Sequence, residues 1–197
     1  LLAFLKTREL YKIKRFLIFS SMTHIGYILL GITTGTIEGI QSIFVYFIIY
    51  VISILNVWGI YIYFNNKIKY ISDLSYIFKY NKTLGLTFVI TMFSMAGVPP
   101  MAGFLAKFFS FFVCIENNLY LLATVGILLS IICTFYYIRF LKIIYFENTN
   151  KSLVLNNNLS KTTALVISLT SILLFYIFIN PSPIFIIAHK IALTLCL

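Results

Sequence analysis

The sequence predicts an all-α polytopic membrane helix bundle of about five transmembrane helices, one of them a broken helix at Pro99-Pro100. Three observations carry this. Of 197 residues, 61% are hydrophobic and 10% charged, with a mean hydropathy of +1.00; a soluble domain carries about 45–50% apolar and about 25% charged residues. Five apolar windows reach the roughly 20 residues that a membrane helix needs. The links between them alternate in charge. This composition excludes a soluble globular enzyme, a disordered tail and a secreted disulfide scaffold.

The windows are 16–34, 40–63, 84–113, 119–140 and 162–187. The segment 1–15 holds Lys6, Arg8, Lys12, Lys14 and Arg15, and the next link, 35–39, holds only Glu38. The link 64–83 holds Lys67, Lys69, Lys79 and Lys82 against Asp73, and 114–118 holds only Glu116. Lys142, Lys151 and Lys161 follow in 141–161, with Arg139 just before. Five spans put every basic cluster on one side and leave Glu38, Glu116 and Lys190 on the other, whereas four or six scatter the lysines. The formal charge of +10 is therefore read as a topology signal, with the basic side facing the negative compartment, and not as a nucleic-acid footprint. Within 64–83, Ile68, Ile71, Leu74 or Ser75, and Phe78 recur at helical spacing and predict a short interfacial amphipathic helix. A tail is expected over 188–197.

No redox or metal centre is expected on this chain. Cys114, Cys133 and Cys196 have neither metal-type nor redox-type spacing, and the two histidines, His24 and His189, are far apart in sequence.

The third window holds one charge, Lys107, and the double break Pro99–Pro100. A lysine at the centre of a membrane helix costs roughly 2.5–3.5 kcal/mol and normally faces the bundle interior or water. Snorkelling is the alternative, but the nearer end of the window is six residues off, about 9 Å. Neither proline donates an N–H, so the carbonyls of Met95 and Ala96 lose their usual helical donors. Such a break is tolerated in a membrane only when buried in protein or beside a polar cavity. Gly103, one turn before Lys107, is expected to leave room for water or a partner group beside the ammonium. Lys107 is the candidate proton relay. All five acids lie in links or at ends of windows, so any partner charge is expected on another chain.

His24 lies midway along the first window, with Ser20, Tyr27 and Gly31 on the same face. It reads either as a histidine hydrogen-bonded within a helix–helix contact or as a second polar station for a proton. The stripe Ser130, Thr134 and Tyr137 on the fourth window, and Ser53 with Asn56 on the second, read as packing contacts.

Two stretches carry a resemblance. KIKRFLIFSSMTHIGYILLGI (12–32) and MFSMAGVPPMAGFLAKFFSFF (92–112) resemble the antiporter-like subunit 2 (bacterial subunit N) family of respiratory complex I. That family shows a K-R-x-L-x-Y-S-S-x-x-H-x-G-Y stretch and later an S-L-A-G-I-P-P-x-x-G-F-x-x-K-F stretch, with an interfacial D-L segment between them, here Asp73–Leu74. The sister subunit 4 pattern has a Glu where this chain has Lys107, and A-G-V-P-P-M-A-G-F fits subunit 2 better than subunit 5.

The resemblance implies a fourteen-helix core with two inverted five-helix repeats, each with a broken helix. The windows here resemble its tenth to fourteenth helices, and Lys107 falls on the conducting lysine of the second broken helix. It further implies a non-redox, proton-translocating subunit of NADH:ubiquinone reductase in the mitochondrial inner membrane, basic loops toward the matrix. Other membrane-arm subunits and membrane lipids are the expected partners. A separate chain is expected to supply the upstream helices, with the family's glutamate–lysine pair and central lysine. The alternatives are a component of a multisubunit cation/proton antiporter and a structural fragment that does not itself conduct.

Overall fold

The computed structural model describes residues 13–63, 81–146 and 161–196. Among these residues every regular element is an α-helix: α1 (Ile13–Thr33), α2 (Ile37–Tyr63), α3 (Lys82–Ala96), α4 (Ala102–Glu116), α5 (Tyr120–Phe146), α6 (Lys161–Ile179) and α7 (Ser182–Cys196). Four of them, α1, α2, α5 and α6, are long and apolar enough to cross a membrane alone. The 15 residues each of α3 and α4 span about 22 Å per helix, short of a hydrocarbon core of about 30 Å. End to end they make a fifth crossing.

Local chemistry sets the boundaries. Asn81 caps α3, its side chain accepting from the Thr83 amide at 3.1 Å. At the other end the Gly97 amide donates to the Ser94 carbonyl at 3.0 Å and the Val98 amide to the Phe93 carbonyl at 3.1 Å, closing a Schellman-type stop. Gly97 sits there at φ +79, where a side chain is strained. A Cis peptide joins Pro99 to Pro100, and α4 starts from Met101 with no side-chain cap. Thr36 opens α2 by accepting from the Gly39 amide at 3.1 Å.

The long helix α2 is the axis of the bundle, packed against α1, α3, α4, α6 and α7, while α5 lies against α3 and α4. Two apolar clusters fill the interior. One gathers Ile13 and Phe16 of α1, Val57 and Ile60 of α2, Phe88 and Met92 of α3, Tyr137 and Phe140 of α5, and Ile167 of α6. The other gathers Tyr27, Val45, Tyr46, Ile49, Ala102, Ala106, Leu174 and Ala188. Along four of the five crossings, all but α5, the change from one cluster to the other falls on a polar residue or a break. It is His24 on α1, Ser53 on α2, the prolines between α3 and α4, and Thr170–Ser171 on α6. The bundle thus has a polar layer at mid-height between two oily halves.

The ends of the helices fall into two groups. Ile13, Tyr63, Leu84 and Ile144, from the start of α1, the end of α2, the start of α3 and the end of α5, share one cluster. At that end the Lys14 ammonium lies 5.7 Å from the centre of the Tyr61 ring. At the opposite end Glu38 and Glu116 come close enough to interact directly.

The last apolar window departs from expectation. One span over 162–187 and a tail over 188–197 were expected; α6 instead stops at Ile179, and α7 runs from Ser182 to Cys196. Pro181 has no N–H and disfavours helix at Asn180 before it, while Pro183 is tolerated in the first turn of a new helix. Ala188 and Ala192, four apart and buried, let α7 approach α2 closely. The expected interfacial helix falls mainly on 64–80, outside the described residues, as does the basic segment before Ile13.

Candidate functional site

Breaking a helix in mid-membrane leaves polar backbone groups that must be answered locally. Pro100 deprives the Ala96 carbonyl of its i+4 amide. The Lys107 ammonium donates to that carbonyl at 2.7 Å, and the Thr134 hydroxyl of α5 reaches the same oxygen at 3.0 Å. The cation thus sits at the C-terminal, negative end of α3, where the helix dipole favours it. Lys107 is only 6% exposed, so its head lies inside the bundle and not at a membrane surface. Its other neighbour is the face of Tyr27, 5.4 Å from Nζ to ring centre, a cation–π contact in a desolvated setting. Among the described residues no carboxylate pairs with it.

Glycines make this geometry possible at two points. A Cβ on Gly97 would lie 2.8 Å from Lys107 Cδ and 3.1 Å from Nζ, so the bare αL residue is what the lysine stem crosses. A Cβ on Gly103 would overlap the Ser94 carbonyl. Its amide donates to Ser94 Oγ at 3.2 Å. The group beside Gly103 is therefore the backbone of α3, which seats the second half-helix against the first.

His24, 4% exposed, faces the same interior. Its Nδ1 lies 2.9 Å from the Tyr46 hydroxyl and its Nε2 3.1 Å from the Tyr137 hydroxyl. Its ring stacks on Tyr50 at 5.0 Å. A neutral imidazole has one N–H and one acceptor nitrogen, so one tyrosine accepts and the other donates. Three helices, α1, α2 and α5, are joined through this one ring.

Lys107 and His24 line one cavity of about 10 Å³, together with Tyr46, Tyr50, Ser53 and Ser94. That is close to the space one water requires, and the walls offer the two to four polar partners a water needs. The structure thus gathers Lys107, His24 and Gly103, which sequence spacing marks on two separate windows, around one cavity; Pro99 and Pro100 form the break beside it but are exposed and do not line it. The sequence does not single out Tyr46, Tyr50, Ser94 or Gly97, and the spacing of Thr134 and Tyr137 predicts packing contacts only. Gly97 carried a usable signal, standing one residue before Val98–Pro99–Pro100. The tyrosines of α2 carried none, since aromatic residues at helical spacing serve lipid and core equally.

A family profile described as NADH:quinone oxidoreductase/Mrp antiporter, transmembrane, matches residues 1–133. The chain is 46% identical over 187 residues to NADH-ubiquinone oxidoreductase chain 2 of Marchantia polymorpha, covering 94% of this chain and 38% of that protein. It is 39% identical over 182 residues to NADH-quinone oxidoreductase subunit N of Pelagibacter ubique, covering 91% of this chain and 38% of that one. The chain thus spans well under half the length of these curated relatives. Among solved structures it is similar to a chain of the respiratory complex I from Thermus thermophilus with bound Aureothin. The TM-score is 0.74 at 21% identity, over 89% of this chain and 40% of that chain. At that identity the likeness shows the fold.

Proposed function

Because the chain belongs to the NADH:quinone oxidoreductase/Mrp antiporter transmembrane family, we propose that it forms part of the proton-translocating membrane arm of respiratory complex I, with Lys107 as the proton relay of its broken helix. The carrying observation is the shared cavity. A buried ammonium and a buried imidazole face one small polar space between two apolar halves of the bundle. The names of the relatives favour the respiratory complex over a free-standing cation/proton antiporter.

The chemistry follows from the partners. Lys107 holds a proton while it donates to Ala96 and can release it toward the cavity. His24 is bonded at both nitrogens, so a proton taken up on one side leaves from the other with an exchange of tautomers. The tyrosine hydroxyls reverse their donation as it passes, since each can donate or accept. One water in the cavity links Lys107 to the Tyr46 hydroxyl, which is itself bonded to His24. The chain carries no redox step in this reading; electrons move elsewhere in the assembly.

The proposal places the chain in the mitochondrial inner membrane, with the basic ends toward the matrix. Other membrane-arm subunits and lipid cover its apolar outer faces, and the family's upstream helices complete the path. Copurification from a native complex tests whether those helices arrive on a separate polypeptide. The deciding experiment for the relay is proton-to-electron stoichiometry in the assembled complex carrying Lys107→Ala. Lowered stoichiometry with lowered coupled turnover is expected. Unchanged stoichiometry overturns the role.

A further inference from the structure

The Ala96 carbonyl has two donors, and only one of them is the lysine. We propose that Thr134 is a positioning residue for Lys107. Its hydroxyl takes over the Ala96 carbonyl when the ammonium leaves, so that the lysine can swing from the helix break into the cavity. This rests on the reading of Lys107 as a relay and adds the group that lets it move.

The argument is one of donors and acceptors. Ala96 is buried, and Pro100 supplies no amide to its carbonyl. If Lys107 alone satisfied that oxygen, every departure of the ammonium would strand a buried acceptor. The Thr134 hydroxyl has a single proton and two acceptors in reach, Ala96 O at 3.0 Å and Ser130 O at 2.9 Å. The Ser130 carbonyl belongs to the interior of α5 and has its own helical amide donor. Thr134 can therefore give its proton wholly to Ala96 without leaving Ser130 unanswered. With Lys107 on the carbonyl, the hydroxyl falls back on Ser130, the usual i−4 bond of a helical threonine. With Lys107 in the cavity, the hydroxyl holds Ala96.

The lysine has somewhere to go. Its stem crosses Gly97 without hindrance, and the cavity it lines is walled by Tyr46, Tyr50, Ser53 and His24. Both end points lie within reach of one flexible side chain, and the handover of the carbonyl removes the cost of a stranded acceptor from the move.

The experiment uses the assembled complex with Thr134→Val, which keeps the shape and removes the hydroxyl, and Thr134→Ser, which keeps it. Coupled turnover is expected to fall about tenfold in the valine variant, the scale of one lost hydrogen bond to a buried acceptor, and to be restored in the serine variant. In a Lys107→Ala background the valine change should add nothing. High-resolution maps at two pH values should show the Lys107 head at both positions in the native chain and on Ala96 alone in Thr134→Val. Equal occupancy of the cavity position in Thr134→Val overturns the inference, as does full loss in Thr134→Ser. The map judges Thr134 whatever Lys107→Ala does to pumping, so failure of the relay reading and failure of this one are told apart.

Discussion

The Lys107 ammonium lies 2.7 Å from the Ala96 carbonyl, eleven residues back along the chain and on the far side of a double proline. The residue that costs most to bury thus repairs the bond that the prolines remove. Charge and break are two parts of one device, and changes to either should be felt at the other.

Gly97→Ala should damage this device without touching the charge. The residue sits at φ +79, and an L side chain in that region costs about 1–2 kcal/mol. The added methyl would also stand 2.8 Å from Lys107 Cδ, pushing the stem off its path. Thermal stability of the assembled complex should drop by that order and coupled turnover should fall further. A variant with native stability and turnover would contradict the geometry.

Gly103→Ala should be more severe, since its Cβ meets the Ser94 backbone, which cannot step aside. Separation of α3 from α4 is expected, read as loss of the chain from the assembled complex on native gels. Gly26→Ala is the control. Nothing lies within 4 Å of its Cβ, so stability should be unchanged or raised by up to about 1 kcal/mol through helix propensity.

His24→Leu should leave the Tyr46 and Tyr137 hydroxyls without their shared partner. Tyr137 keeps the hydroxyls of Ser20 and Tyr136 as partners, whereas the Tyr46 hydroxyl is left unmet, which costs about 1–3 kcal/mol. His24→Gln, which keeps a donor and an acceptor but does not titrate, should retain most of the stability and lose coupled turnover. Equal loss of stability in both variants would make the histidine a packing group only.

The charge pattern predicts sidedness. Cysteines replacing Glu38 and Glu116 should be joined by a short thiol cross-linker and labelled by an impermeant reagent from the side opposite the matrix. A cysteine at Lys161 should be labelled from the matrix side alone. Labelling of all three from one side would reverse the topology.

Much of this arrangement can be read from the residues alone. The basic and acidic links order the crossings because a lysine is costly to move across a membrane, and Lys107 with Pro99–Pro100 marks the site because both are costly inside one. The second break is legible in Asn180–Pro181–Ser182–Pro183, although uninterrupted hydropathy on either side masks it. The partners of His24 were not legible. Tyr46 and Tyr137 lie on helices whose rotation about their own axes depends on packing, and nothing in the spacing of an aromatic run says which face meets a histidine. Thr134 looked like one more helical hydroxyl because its second acceptor, Ala96, is distant in sequence.

The most direct measurement is a map of the intact assembly in which single waters are resolved. The account predicts an ordered water hydrogen-bonded to both Lys107 and the wall that holds His24, continuous with further water leading out of the cavity. A dry, sealed pocket with Lys107 fixed on Ala96 in every state would contradict it.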